Sequence, residues 1–133
     1  AMKNGLIDVF TSAADAISCD GYVVNKVGTM QIALVCKYFG IPYFATGAPD
    51  LAHPTIDSVQ IEMRDPEQVL EAMGIRTAKM GVKGLYPAFD ITPPHLVSGI
   101  VTIKACSLLM ISSDTLNKSK GNSMLFFTLL IME

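Results

Sequence analysis

Apolar residues in this chain fall into short blocks separated by turn-forming clusters, and the blocks change period along the sequence. Leu6-Ile7-Asp8-Val9-Phe10 is a short, partly β-branched run that empties into Thr11-Ser12-Ala13-Ala14-Asp15. That is the pattern of a buried parallel strand followed by a loop. Residues 29–39 are apolar almost all round, broken only by Gln31 and Lys37, with Gly40 placed to end the run. This predicts a buried helix with a glycine just past its C-terminus. Ile41-Pro42-Tyr43-Phe44-Ala45-Thr46 follows at once, so strand, helix and strand occur in the order that makes a crossover and a parallel sheet.

Gly47-Ala48-Pro49-Asp50 is turn chemistry, and Ser58-Val59-Gln60-Ile61-Glu62-Met63 alternates as a half-buried edge strand does. Asp65-Pro66-Glu67-Gln68 offers an N-cap, a proline at the first helical position and a glutamine at N3, which predicts a short helix ending at Gly74. Residues 75–85 show no period and read as loop. Thr92-Pro93-Pro94 predicts a capped short helix, and Gly99 then leads into the β-branched strand Ile100-Val101-Thr102-Ile103. These elements predict an α/β fold, a Rossmann-like three-layer domain with a mainly parallel, incomplete sheet over residues 1–104. Residues 105–133 change character and read as a divergent tail.

The 133 residues, half of them hydrophobic and 17% charged, are enough for one modest packed domain. Ten scattered basic residues against twelve acidic ones leave a net charge of −2, which disfavours nucleic acid as a direct partner. The longest late apolar run, residues 124–132, falls far short of the roughly 20 residues of a membrane-spanning helix, and no membrane association is expected. Cys19, Cys36 and Cys106 form an odd set without C-x-x-C spacing, which argues against a disulfide framework and for a reducing, cytoplasmic setting.

Candidate chemistry lies in the polar interruptions. Asp15, directly after a predicted strand, would stand at the carboxyl edge of a parallel sheet, where partial burial would raise its pKa towards acid/base use. Spacing alone favours the plainer role of capping a turn. Asn25-Lys26, ahead of the predicted helix, could bring an amide and a cation beside backbone N–H groups that attract a phosphate, or could be an ordinary cap with an exposed lysine. Asp90 could bind a sugar hydroxyl or tie down the turn before Thr92. His53 and His95 lack partners at metal-ligand spacing, so no metal is expected. Cys36 reads as a small hydrophobe, and Cys19 is the one thiol placed to be reactive. Neither the dinucleotide nor the P-loop fingerprint occurs, and no cofactor is expected.

Val24-Asn25-Lys26-Val27-Gly28-Thr29, Gly40-Ile41-Pro42-Tyr43, Glu62-Met63-Arg64-Asp65-Pro66 and Pro87-Ala88-Phe89-Asp90-Ile91-Thr92-Pro93, in that order and spacing, resemble the C-terminal half of the methylthioribose-1-phosphate isomerases. That family shares its fold with the regulatory subunits of translation initiation factor 2B. The match runs from about Asp8 to Lys104.

The resemblance implies that Asp15, ten residues before Asn25, is the catalytic acid/base and that Asn25 and Lys26 contact the substrate. The implied reaction is the aldose-to-ketose isomerisation of a sugar 1-phosphate such as 5-methylthioribose 1-phosphate, a step of methionine salvage. Two departures stand beside it. Asp20-Gly21-Tyr22 replaces the family's Asn-Gly-Asp, and the family's catalytic cysteine lies upstream of the matching segment. The resemblance thus implies a fragment with a partial site that depends on a homo-oligomer or a companion chain. The alternative it leaves is a non-catalytic regulatory or scaffolding protein of the initiation factor 2B type.

Overall fold

Parallel pairing of three short strands forms the spine of the computed structural model, which describes residues 1–102; the tail expected over 105–133 lies outside the described residues. In chain order the elements are β1 (Phe10–Ala13), β2 (Ala16–Ile17), β3 (Val23–Lys26), α1 (Thr29–Phe39) and β4 (Tyr43–Thr46). They continue with β5 (Glu71–Ala72), β6 (Ile75–Arg76), β7 (Phe89–Thr92) and β8 (Gly99–Val101), joined by short 3₁₀ turns. Sheet order β1-β4-β8 is parallel throughout, with Phe10 opposite Tyr43 and Phe44 opposite Gly99. A second sheet, β2-β3-β7, is antiparallel. The expected α/β class with a mainly parallel, incomplete sheet is therefore present.

The two sheets share one core with α1. Tyr43, Ala45 and Ile100 from the parallel sheet meet Ile17 and Val23 from the antiparallel one, Ala33 of α1 and Leu96, with Phe10, Ala14 and Val97 packed around them. Tyr43 anchors it: its ring stacks on Phe10 with centroids 4.7 Å apart, and its hydroxyl shares a 2.7 Å hydrogen bond with Ser12 Oγ. Burial pushes the Tyr43 phenol above its ordinary pKa, outweighing the Ser12 bond that pulls it down.

Several expectations are corrected. The first strand starts at Phe10, not Leu6, because its parallel partner begins at Tyr43; Leu6 and Val9 are exposed. The helix over 29–39 forms with the expected bounds, and the Gly40 N–H reaches back to the carbonyls of Cys36 and Lys37. It is buried on one stripe only, through Thr29, Ala33 and Cys36; Ile32, Leu34, Val35, Tyr38 and Phe39 face out. No strand forms over 58–63; Ile56–Ser58 is a 3₁₀ turn and Met63 makes only a bridge to Pro87.

The helix expected to run to Gly74 is a four-residue 3₁₀ turn, Pro66–Val69. Asp65 caps it as the sequence suggested, accepting the Glu67 N–H at 3.0 Å. The chain then forms the β5-β6 hairpin, whose two-residue turn Met73-Gly74 has positive φ at both positions, as a type I′ turn demands. Thr92 does not cap a helix either. It ends β7 fully buried, and Pro93 precedes the 3₁₀ turn Pro94–Leu96.

Candidate functional site

β3 and β7 bring the predicted polar residues to one end of the antiparallel sheet. Their register places Asn25 opposite Asp90 and Lys26 opposite Phe89. Because side chains alternate along a strand, the two pairs lie on opposite faces. On one face the Asn25 amide donates to Thr29 Oγ1 at 3.1 Å, and that hydroxyl donates to the Lys26 carbonyl at 2.8 Å. On the other, Lys26 Nζ stands 4.3 Å from the centre of the Phe89 ring, with the side chain otherwise exposed.

Asp15 belongs to the same end. β1 stops at Ala13, and the Ala14 N–H is donated to the Thr46 carbonyl at the carboxyl edge of the parallel sheet. The Asp15 N–H then crosses to the Val24 carbonyl at 2.9 Å, one step beyond the Ala16–Val24 pair. This brings Asp15 to the level of Asn25. Its side chain is exposed, so the partial burial expected for it is not supplied by the described residues.

The start of α1 also differs from expectation. Asn25 is not its N-cap; Gly28 is, at φ +107°, a conformation that a residue with a Cβ rarely adopts. A glycine cap has no side chain to satisfy the first N–H groups. Asp90 does so instead from sixty residues away, accepting from Gly28 N–H at 2.7 Å and Met30 N–H at 3.2 Å. Two N–H groups at the helix start, those of Gly28 and Met30, are thus already bound to a carboxylate. Asp90 is half-buried, and its carboxylate is turned to the start of α1 rather than to the turn before Thr92.

The model of the Initiation factor 2 subunit family matches residues 1–104. The chain belongs to this family. Among its relatives, a 5-deoxyribose 1-phosphate isomerase of Clostridium botulinum is 42% identical over 106 residues, covering 77% of this chain and 30% of that protein. A methylthioribose-1-phosphate isomerase of Roseiflexus castenholzii is 38% identical over 104 residues, covering 76% and 29%. Two solved structures are similar to the fold. The 5-methylthioribose 1-phosphate isomerase of Pyrococcus horikoshii gives a TM-score of 0.69 at 36% identity, over 76% of this chain and 29% of that one. Subunit delta of translation initiation factor eIF-2B from A. fulgidus gives 0.67 at 34%, over 76% and 30%. The chain therefore spans about 30% of the length of the relatives it matches.

Within this family segment, the structure brings Asp15, Asn25 and Asp90 to one sheet end and puts Lys26 on the opposite face of the same strand. Cys19 lies in the loop beyond β2, its thiol 3.4 Å from the Asp50 carbonyl. Its backbone N–H bonds the His53 carbonyl at 2.8 Å. His53 Nδ1 shares a 3.3 Å contact with Ser58 Oγ, and no group of three or more potential metal ligands occurs among the described residues. Cys36 is buried in α1, where burial raises its thiol pKa and keeps it in the inert, protonated form. No helix among the described residues is long and apolar enough to cross a membrane.

Proposed function

We propose that this chain carries one part of the active site of a sugar-phosphate isomerase, acting on a sugar 1-phosphate of the methylthioribose or deoxyribose type. Asp15 is the acid/base, and Asn25 and Lys26 contact the substrate. The observation that carries this reading is the meeting of Asp15 with the Asn25-Lys26 element at the carboxyl edge of the parallel sheet, where ligands sit in folds of this architecture. Isomerase names among the relatives support the substrate class.

A phosphate on C1 blocks simple opening of the sugar ring. The site must therefore protonate the ring oxygen and then move a hydrogen between C1 and C2 while the opened sugar is kept from water. Exposed Lys26 supplies a cation for the phosphate, and the Asn25 amide a neutral donor. The exposed carboxylate of Asp15 needs an apolar cover to keep the opened sugar from water. That cover, with the family's catalytic cysteine, comes from a companion segment or subunit. The outward apolar residues of α1, led by Tyr38 at 82% exposure, support the need for a partner surface. A second reading, a regulatory subunit that keeps the fold without turnover, is favoured by the nearly equal likeness to the eIF-2B subunit.

A thermal-shift titration with methylthioribose 1-phosphate and 5-deoxyribose 1-phosphate separates the two. A saturable rise in Tm that Lys26→Ala removes and Asp15→Asn keeps is the result expected of a binding site whose carboxylate serves chemistry. No rise with either sugar, in a chain shown by circular dichroism to be folded, favours the regulatory subunit.

A further inference from the structure

An N-terminus of α1 left without a capping side chain would be an open anion site, since it carries unsatisfied N–H groups and the positive end of the helix dipole. Gly28 leaves it uncapped, and the gap is filled from across the sheet. Asp90 Oδ2 takes the Gly28 N–H at 2.7 Å, and both carboxylate oxygens lie 3.2 Å from the Met30 N–H. We infer that Asp90 is a resident anion: it closes the α1 N-terminus to ligand phosphate and positions the Asn25-Lys26 element, so that phosphate is directed to Lys26.

Three observations converge on this. Asp90 is locked into the β3-β7 ladder directly opposite Asn25, so its carboxylate is held at the helix start by backbone pairing rather than by its own rotamer alone. Asn25 is tied to the same turn through Thr29, whose hydroxyl is bonded to the Lys26 carbonyl. The carboxylate thus fixes the turn from Lys26 to Met30 at its far end while Asn25 fixes it at the near end. Lys26, on the other face over Phe89, is left as the cation of this segment with an exposed side chain. A phosphate at the α1 N-terminus would have to displace a carboxylate already making charge-assisted hydrogen bonds there.

The claim about direction to Lys26 rests on the sugar-phosphate reading above; the claim that Asp90 closes the helix end does not, and inorganic phosphate tests it alone. In amide-resolved NMR titrations of the whole chain, the Gly28 and Met30 signals should stay in place as phosphate is added to the native protein. In Asp90→Ala both should move saturably as phosphate takes the vacated end. Movement of Gly28 and Met30 in the native chain, or no movement in a folded Asp90→Ala, overturns the inference. Should Asp90→Ala not fold, Asp90→Asn keeps an acceptor without the charge, and hydrogen exchange at Gly28 and Met30 should then quicken about tenfold. Unchanged exchange in that variant is equally fatal. Failure of the sugar-phosphate reading shows elsewhere, as an absent Lys26-dependent response to the sugar 1-phosphates, and leaves the behaviour of Gly28 and Met30 as it is.

Discussion

Residues 10–46 and 86–101 are held by strand ladders closing over a shared apolar core, whereas the long excursion between them, residues 47–85, is held almost wholly by polar ties. In the first region Tyr43, Ala45, Ile17, Val23 and Ile100 are buried in mutual contact. In the second, Leu70 is the one hydrophobic residue buried among those described. The excursion is pinned at its base by Asp20, whose carboxylate accepts the Ser18 hydroxyl and, at 3.2 Å, the Ile56 N–H. Further out Arg76 joins three segments, donating to Glu67 Oε2 at 2.7 Å and to the Ala78 and Val82 carbonyls at 3.2 and 3.5 Å. Hydrophobic burial scales with area and spreads over many contacts, while hydrogen bonds contribute only about 1 kcal/mol each after water is accounted for. The core region should therefore open globally, and the excursion locally.

The strongest test of that contrast is Tyr43→Ala. Tyr43 is 1% exposed and touches both the Phe10 ring and Ser12, so truncation removes a large buried side chain and leaves a cavity. A loss of about 3–5 kcal/mol is expected, a large share of the stability of a domain this size. Urea unfolding followed by circular dichroism should show one cooperative transition with a much lower midpoint. A small shift would mean that the core does not dominate and that the contrast is wrong.

Gly84→Ala attacks the other region. A Cβ at Gly84 would stand 2.3 Å from the Pro66 carbonyl oxygen and 2.9 Å from Val69 Cγ2, so the backbone of the Pro66–Val69 turn has to shift. The expected cost is about 1–3 kcal/mol, confined to the excursion. Hydrogen exchange should quicken at the Leu70 and Thr77 amides, which bond the Glu67 and Leu70 carbonyls, while amides of the β1-β4 ladder keep their protection. Equal quickening in both regions would merge them into one cooperative unit.

The same division explains what could be read from sequence. Where a helix or strand is dictated by burial, periodicity found it: residues 29–39, 43–46 and 99–101 stand close to where apolar runs put them. Where polar groups decide, periodicity misled. Ser58 to Met63 alternates without forming a ladder: residues 86–88 meet only its end, through the Met63–Pro87 bridge and the flanking bonds of Ala88 N–H to the Glu62 carbonyl and Arg64 N–H to the Tyr86 carbonyl. The hairpin at 71–76 was hidden behind a sound helix-start signal, since Asp65 does cap and only the left-handed pair Met73-Gly74 turns the chain back.

At the candidate site, sequence and family resemblance named Asp15, Asn25 and Lys26, but the apolar pattern assigned no strand to residues 23–26, which form β3 and put Asn25 and Lys26 on opposite faces. Their split across two faces was illegible as a result. The capping role of Asp90 depends on a contact sixty residues apart, and the one local trace of it was the Gly28 at the helix start, where a side-chain cap was missing.

Arg76→Ala is the finest probe of the comparison, because it asks whether the polar ties of the excursion act through charge or through geometry. The Arg76–Glu67 pair is substantially exposed, with Glu67 at 64%, and an ion pair of that kind contributes at most about 1 kcal/mol and is screened by salt. The remaining donors of the guanidinium go to the two carbonyls, which only a planar fork can reach together. Glu67→Gln should therefore cost less than about 0.5 kcal/mol. Arg76→Ala and Arg76→Lys should both free the 76–82 loop, read as faster proteolytic nicking there with the urea midpoint almost unchanged. If Arg76→Lys protects the loop as well as arginine does, charge rather than the fork holds it, and raising the salt concentration should then loosen the loop in the native chain.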